Sequence, residues 1–187
     1  MDREDVADGA TTRKIRTGRA GRAAGRRGAA AAGLPGYMPA KMSRPQMRRA
    51  RVSRPRLIEA LDAAVQSPVT LICAGAGWGK SVLASAWAES RRTPVAWLTV
   101  DSHDNDPQTF WSGVIATLQV AGAVPPGNPL ARVNSLPADA TQRLRHLARG
   151  LSRLRTPTVL VLDDFHEIDD AEVIEELIGL LRHPPRA

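Results

Sequence analysis

At 187 residues, 43% of them hydrophobic and only 4% aromatic, the chain has the mass for one folded domain and a tail. No apolar stretch approaches the roughly 18 residues that a membrane span requires, and a single cysteine, Cys73, excludes an internal disulfide framework and suits a reducing cytoplasm. The net charge of +7 is unevenly held: residues 1–56 carry 15 lysines and arginines against 4 acids, or +11, whereas residues 57–187 carry 11 against 15, or −4.

Residues 1–50 therefore read as a disordered tail, since segments such as Thr17-Gly18-Arg19-Ala20-Gly21-Arg22 and Gly25-Arg26-Arg27-Gly28 hold too little apolar mass to offset the entropy of ordering them. A basic arm of this kind can bind nucleic acid without sequence preference. No aromatic interleaves it before Tyr37, so a solvated leader is the reading adopted. Met38, Met42 and Met47 are alternative starts, and Gly28, Gly33 and Pro35 leave no apolar region for an export signal after Arg26-Arg27. Order is expected over residues 51–187, beginning with a helix that has Pro55 in its first turn and Leu57, Ile58, Leu61, Ala64 and Val65 along one stripe.

The next segment carries the chemistry. Val69-Thr70-Leu71-Ile72-Cys73 has the length and β-branched content of a buried strand, with Cys73 expected in the core. It breaks into Ala74-Gly75-Ala76-Gly77-Trp78-Gly79-Lys80-Ser81, a Walker A pattern in which Ala74 replaces the usual first glycine. Glycines let consecutive backbone N–H groups converge on an anion at the start of the following helix. Gly75, Ala76, Gly77, Trp78 and Gly79 are the cradle, Lys80 a point charge for the β- and γ-phosphates of a nucleoside triphosphate, and Ser81 a hydroxyl ligand for Mg²⁺. Trp78 is expected either to cover the nucleotide or to pack on a neighbouring segment. The helix that follows carries Val82, Leu83, Ala86 and Trp87 at helical spacing.

A second strand is expected at 95–100, and Trp87, Trp97 and Trp111 in the core. Asp101, His103, Asp104 and Asp106 have metal-ligand chemistry, but their place on a turn before a helix is accounted for by capping and solvation. Asp106 and Pro107 form an N-cap and first-turn pair for a helix with Phe110, Trp111, Val114, Ile115 and Leu118 inward. Residues 120–137, rich in Gly and Pro, read as a loop; Leu144, Leu147, Leu151 and Leu154 mark a helix weakened at Gly150. Val159-Leu160-Val161-Leu162 then reads as a strand buried on both faces, ending in Asp163-Asp164. That is a Walker B pattern at the carboxyl edge where open α/β sheets bind ligands. Asp163 is assigned to Mg²⁺ and Asp164 to orienting an attacking water or taking its proton. His166, just beyond, is either a γ-phosphate sensor or a polar turn residue. The last helix has Val173, Ile174, Leu177, Ile178 and Leu181 inward and Glu172, Glu175 and Glu176 outward. Strands alternate with helices, so the fold class is α/β: a P-loop NTPase-like, three-layer parallel sheet with helices on both faces.

Arg51-Val52-Ser53-Arg54-Pro55-Arg56-Leu57, the loop 76–81, Trp97-Leu98 with Asp104-Asn105-Asp106-Pro107 and Phe110-Trp111, and Leu162-Asp163-Asp164-Phe165-His166 together resemble one family. They look like the N-terminal ATPase module of the large ATP-binding LuxR-type transcriptional regulators, from residue 51 to the end. The resemblance implies a signal-transducing ATPase with ATP and Mg²⁺ as cofactors, Arg54 and Arg56 near the adenine, self-association in the ATP state of the intact protein, and cytoplasmic location. DNA would be read by a separate helix-turn-helix domain. Val82 stands where members often carry a second hydroxyl residue.

The family would continue after Ala187 with a strand that inserts between the P-loop and Walker B strands, so the resemblance implies an N-terminal fragment with a sheet open at its centre. Losing roughly five backbone partners on each facing strand, at about 1–3 kcal/mol per buried unsatisfied group, rivals the usual 5–15 kcal/mol of net stability. Marginal stability is expected, and so is the absence of ATP hydrolysis in this chain, because no arginine is placed to stabilise transition-state charge. The competing readings are a self-contained small P-loop ATPase or kinase, whose substrate site could only use residues 120–137, and nucleic-acid binding through the basic tail. No Asn-Lys-x-Asp motif supports guanine specificity.

Overall fold

A computed structural model describes residues 40–46, 54–132 and 136–182; most of the proposed tail lies outside these. Two parallel strands form the sheet, β1 (Val95–Thr99) and β2 (Val159–Asp163), in the register Val95 opposite Val159 through Thr99 opposite Asp163. The intervening helices are the crossover that parallel pairing demands. α3 (Pro107–Val120) and α4 (Ala140–Leu151) lie between the strands in sequence and α5 (Ala171–Arg182) follows β2. α1 (Pro55–Ala64) and α2 (Lys80–Ser90) precede β1.

Strand alternation divides the interior in two. Ala96 and Leu98 of β1, with Leu160 and Leu162 of β2, join the larger core made with Phe110, Trp111, Val114, Ile115 and Leu118 of α3, Leu147 of α4, and Val173 and Leu180 of α5. Val95 and Val159 point the other way, into a smaller core of Leu61, Trp87 and Ala88 between α1 and α2. The result is a helix, sheet, helix arrangement, as the alternating sequence pattern implies. Asp62 of α1 ties the smaller layer together by accepting the Trp87 indole N–H at 2.8 Å and the Arg91 guanidinium at 2.6 Å.

Capping sets the helix starts. Pro55 stands in the first turn of α1, and the Asp106 carboxylate accepts the Thr109 N–H at the start of α3, which holds Pro107 in its first turn. Asp139 does the same for α4 through Gln142. All three tryptophans expected inside, Trp87, Trp97 and Trp111, are buried. Among the described residues no helix is long and apolar enough to cross a membrane.

Several expectations are corrected. Residues 69–73 are not a strand: Leu71 is 80% exposed, Val69 45%, and Cys73 faces solvent instead of the core. A strand needs a hydrogen-bonding neighbour, and none of the described residues pairs with this segment; Ile72 packs inward, on the smaller core. For the same reason β2 is half-buried along its length, not sealed on both faces. In α2 the buried stripe is Ala84, Ser85, Trp87 and Ala88, which turns Val82 outward. The loop 120–137 contains a 3-10 turn, Pro129–Ala131, that buries Leu130 completely.

In α5, Ile178 is exposed and Glu176, expected outside, is 5% exposed. Glu176 accepts the Trp111 indole N–H at 2.6 Å and both its oxygens face the equally buried Arg143 of α4, which also meets Glu172. Arg143 further donates to the Pro137 and Ala138 carbonyls. Burial works against its charge, but the hydrogen bonds it donates to Glu176 and Glu172, with the charge of these acids, outweigh that and hold its pKa above that of an ordinary arginine.

Within the span assigned to the tail, residues 40–46 lie on the domain. Met42 is buried in the larger core, the Thr99 N–H donates to the Lys41 carbonyl at 2.8 Å, and the Ser85 hydroxyl donates to the Pro45 carbonyl at 3.0 Å. The Lys41 ammonium pairs with Asp104, which is fully buried, at 2.6 Å and with Asp101 at 3.0 Å. One apolar residue in a basic run, Met42, was the only signal of this attachment.

Candidate functional site

The carboxyl ends of β1 and β2 and the amino end of α2 form the candidate site. β2 closes on Asp163, held level with the end of β1 by the Val100 N–H donating to the Asp163 carbonyl at 2.9 Å. Across the gap, the Ser81 hydroxyl donates to Asp163 Oδ1 at 2.8 Å, so residues 82 positions apart in sequence share one point. Lys80 and Asp163 consequently lie on the same side of the molecule.

The loop before α2 has the conformation its glycines allow. Gly77 and Gly79 take φ of +75° and +81°, in the left-handed region that residues with a Cβ avoid, and nothing stands within 4 Å of the Cβ that Gly77 lacks. Gly79 is the N-cap of α2 and offers no side chain, and the first turn holds no acid. The first amides of α2 thus form the partial positive end of a helix that has no side-chain cap. Lys80 turns back on the loop, its Nζ donating to the carbonyls of Ala74 at 3.0 Å and Gly75 at 3.2 Å. The Gly75 carbonyl also accepts the Trp78 N–H, and Ala76 sits exposed in the turn.

Trp78 is 71% exposed. Its indole lies against Gly75, where an added Cβ would meet Nε1 at 3.1 Å, so the ring packs on its own loop. Arg54 reaches the same loop by donating to the Trp78 carbonyl at 3.3 Å. Arg56, exposed on α1, makes no hydrogen bond to the loop among the described residues.

Asp164 follows Asp163 with φ +57°, the single positive-φ residue other than glycine among those described. Such backbone is costly for a residue with a side chain and collects at functional sites. It turns the chain sharply into a 3-10 turn, Phe165–Glu167, leaving Asp164 and His166 exposed while Phe165 packs against Phe110. His166 lies 3.4 Å from Glu167.

The acid cluster after β1 is capping, as its position suggested. Asp101 and Asp104 form a reciprocal capping box around a 3-10 turn, Ser102–Asn105, and Asp106 caps α3. Among the described residues no group of three His, Cys, Asp or Glu side chains could hold a metal ion. Lys41 holds Asp101 below the usual carboxylate range; burial opposes Lys41's own charge, but its two acidic partners hold it above the ordinary lysine value.

The donors that meet here are of the kind Mg²⁺ and a triphosphate require. Mg²⁺ takes hard oxygen ligands, commonly one or two carboxylates completed by phosphate and water. The Ser81 hydroxyl and the Asp163 carboxylate are such donors and already in hydrogen-bonding contact, while the uncapped start of α2 fits an anion. The residues present fit both groups.

A model of the AAA ATPase domain matches residues 50–187. The HTH-type transcriptional regulators MalT of Serratia proteamaculans and of Cronobacter sakazakii are each 33% identical to this chain over 150 residues. That alignment covers 79% of this chain but 16% of each relative. MalT of Yersinia enterocolitica is 31% identical over the same extent.

Proposed function

The chain belongs to the AAA ATPase domain family, and on that footing we propose that it is the ATP-binding regulatory module of a LuxR-type transcriptional regulator. Its likeness to MalT is to the ATPase part of such proteins. The observation that carries the site assignment is the 2.8 Å hydrogen bond between Ser81 and Asp163, one residue from Lys80 at the start of α2.

In this reading the amides of residues 75–81 receive the phosphates, and Lys80 exchanges two neutral carbonyls for the β- and γ-phosphate oxygens. Charge assistance favours that exchange, because a hydrogen bond to an ionised acceptor is about twice as strong as one to a neutral group. Ser81 and Asp163 would hold Mg²⁺, which would supply positive charge to offset that of the phosphates. Asp164, presented by its left-handed turn, orients or deprotonates water. Arg54 and Trp78 would border the base or ribose, and Arg56 is proposed beside them. In the whole protein, ATP would favour self-association in the cytoplasm and DNA would be contacted by another part of the chain; relatives with an HTH-type name support that division.

The test is equilibrium binding of ATP to the 187-residue chain and to Lys80→Ala. Loss of the point charge is expected to weaken binding by about tenfold or more, the equivalent of 1.4 kcal/mol. Equal affinity for the two proteins would remove the assignment.

A further inference from the structure

Two loops leave the site edge of the sheet, one after β1 and one after β2, and a single side chain joins them. Asn105 closes the 3-10 turn after β1. Its amide nitrogen donates to the Glu167 carbonyl at 2.8 Å and, at 3.3 Å, to the Ser102 carbonyl; its amide oxygen accepts the N–H groups of Asp169 at 2.8 Å and Asp170 at 3.0 Å. Two donors and two acceptor sites are all that a primary amide has. The orientation is fixed as well, since a flipped amide would set its oxygen against two carbonyls and its NH₂ against two N–H groups.

The backbone that Asn105 grips continues directly from the Asp163-Asp164 pair. Within it, Asp164 holds a left-handed φ, a conformation that persists only where the surroundings over-determine it. Beyond it, the Asp170 carboxylate accepts the Val173 N–H at the start of α5. The turn carrying Asn105 is anchored in its turn, because the adjacent Asp104 is fully buried and ion-paired to Lys41. The segment from 164 to 170 is thus clamped between β2 and α5 by an amide belonging to another loop.

We propose that Asn105 is a positioning residue: by clamping residues 167–170 it fixes where Asp164 and His166 stand relative to the terminal phosphate of a bound nucleoside triphosphate, making this loop the element that distinguishes ATP from ADP. The inference rests on the nucleotide site proposed above. A carbonyl and two amide N–H groups on the gripped loop are matched to an asparagine and to no other side chain of that length. Asp could serve only the two N–H groups, and Ala none.

The readout is the imidazole NMR signal of His166 in the full chain, assigned by its absence in His166→Gln, recorded with saturating MgATP and with MgADP. In the unsubstituted chain the signal takes different positions in the two complexes. In Asn105→Ala that difference is lost while MgADP affinity stays within about twofold, and in Asn105→Asp, which keeps two of the four hydrogen bonds, the difference shrinks. A merely structural role would weaken both complexes together and leave the ATP-against-ADP difference in place. Identical His166 positions with ATP and ADP in the unsubstituted chain overturn the inference, as does a full difference in both Asn105 variants. Failure of the nucleotide site itself would register separately, as Lys80→Ala binding ATP as well as the unsubstituted chain does.

Discussion

Asp164 illustrates how a single residue beside a candidate site can strain the fold. Its φ of +57° suits glycine better than aspartate. Asp164→Gly is therefore expected to stabilise the chain by up to about 1 kcal/mol, read as a higher urea midpoint at unchanged slope; a lower midpoint would show that the carboxylate stabilises the turn. Gly150 presents the reverse case. The sequence marks it only as a weak point of α4, yet a Cβ there would lie 2.3 Å from Leu130 Cγ, and its carbonyl accepts the Asn128 side chain at 3.0 Å. Gly150→Ala should destabilise by about 1–3 kcal/mol through overpacking, whereas helix propensity alone would make it stabilising. Lys41 and Asp101 set a pH dependence. Asp101's carboxyl is held down in the folded state, so the unfolded chain binds the proton first as pH falls, and the stabilisation present above about pH 4 is lost below it. Lys41, held up, keeps its contribution until pH rises past the ordinary lysine range. Acidification from neutral pH should then lower the urea midpoint more in the unsubstituted chain than in Lys41→Met. Equal losses would contradict the pairing.

At the level of elements, how much could be read from sequence depended on whether the signal was local. α3 was legible in full: Asp106 and Pro107 mark its start, and Phe110, Trp111, Val114, Ile115 and Leu118 all lie inside. α5 was legible as a helix but not in its facing, because the partner that draws Glu176 inward, Arg143, sits 33 residues earlier. Arg143→Ala, which leaves that carboxylate buried and unpaired, is expected to cost about 3–5 kcal/mol in urea unfolding; a loss under 1 kcal/mol would mean the pair is hydrated. Residues 69–73 have strand composition without strand neighbours, and composition does not reveal a missing neighbour. Their amides are expected to exchange with solvent far faster than those of β1. Protection equal to β1 would contradict the unpaired description. Of the candidate site, the glycine-dependent turn at 77–79 was legible because backbone geometry dictates its residue type, while Asn105 and the strap at 40–46 act through contacts that no local pattern announces.

For the molecule as a whole, two cores lie on opposite faces of a two-stranded sheet, and Leu71, Trp78 and Val82 remain exposed between α1 and the site edge. Such a chain should unfold in urea with a shallow, broad transition; a steep two-state transition with a slope normal for its size would contradict this. The proposed function centres on the contact between Ser81 and Asp163 in a chain of the AAA ATPase domain family. The direct measurement is ATP affinity of the full chain with Mg²⁺ and with EDTA, for the unsubstituted protein, Ser81→Ala and Asp163→Asn. The account predicts that Mg²⁺ tightens binding to the unsubstituted chain by about tenfold and that both variants lose most of that gain while binding ATP in EDTA at least as well. An affinity indifferent to Mg²⁺, or variants that keep the whole gain, would contradict it.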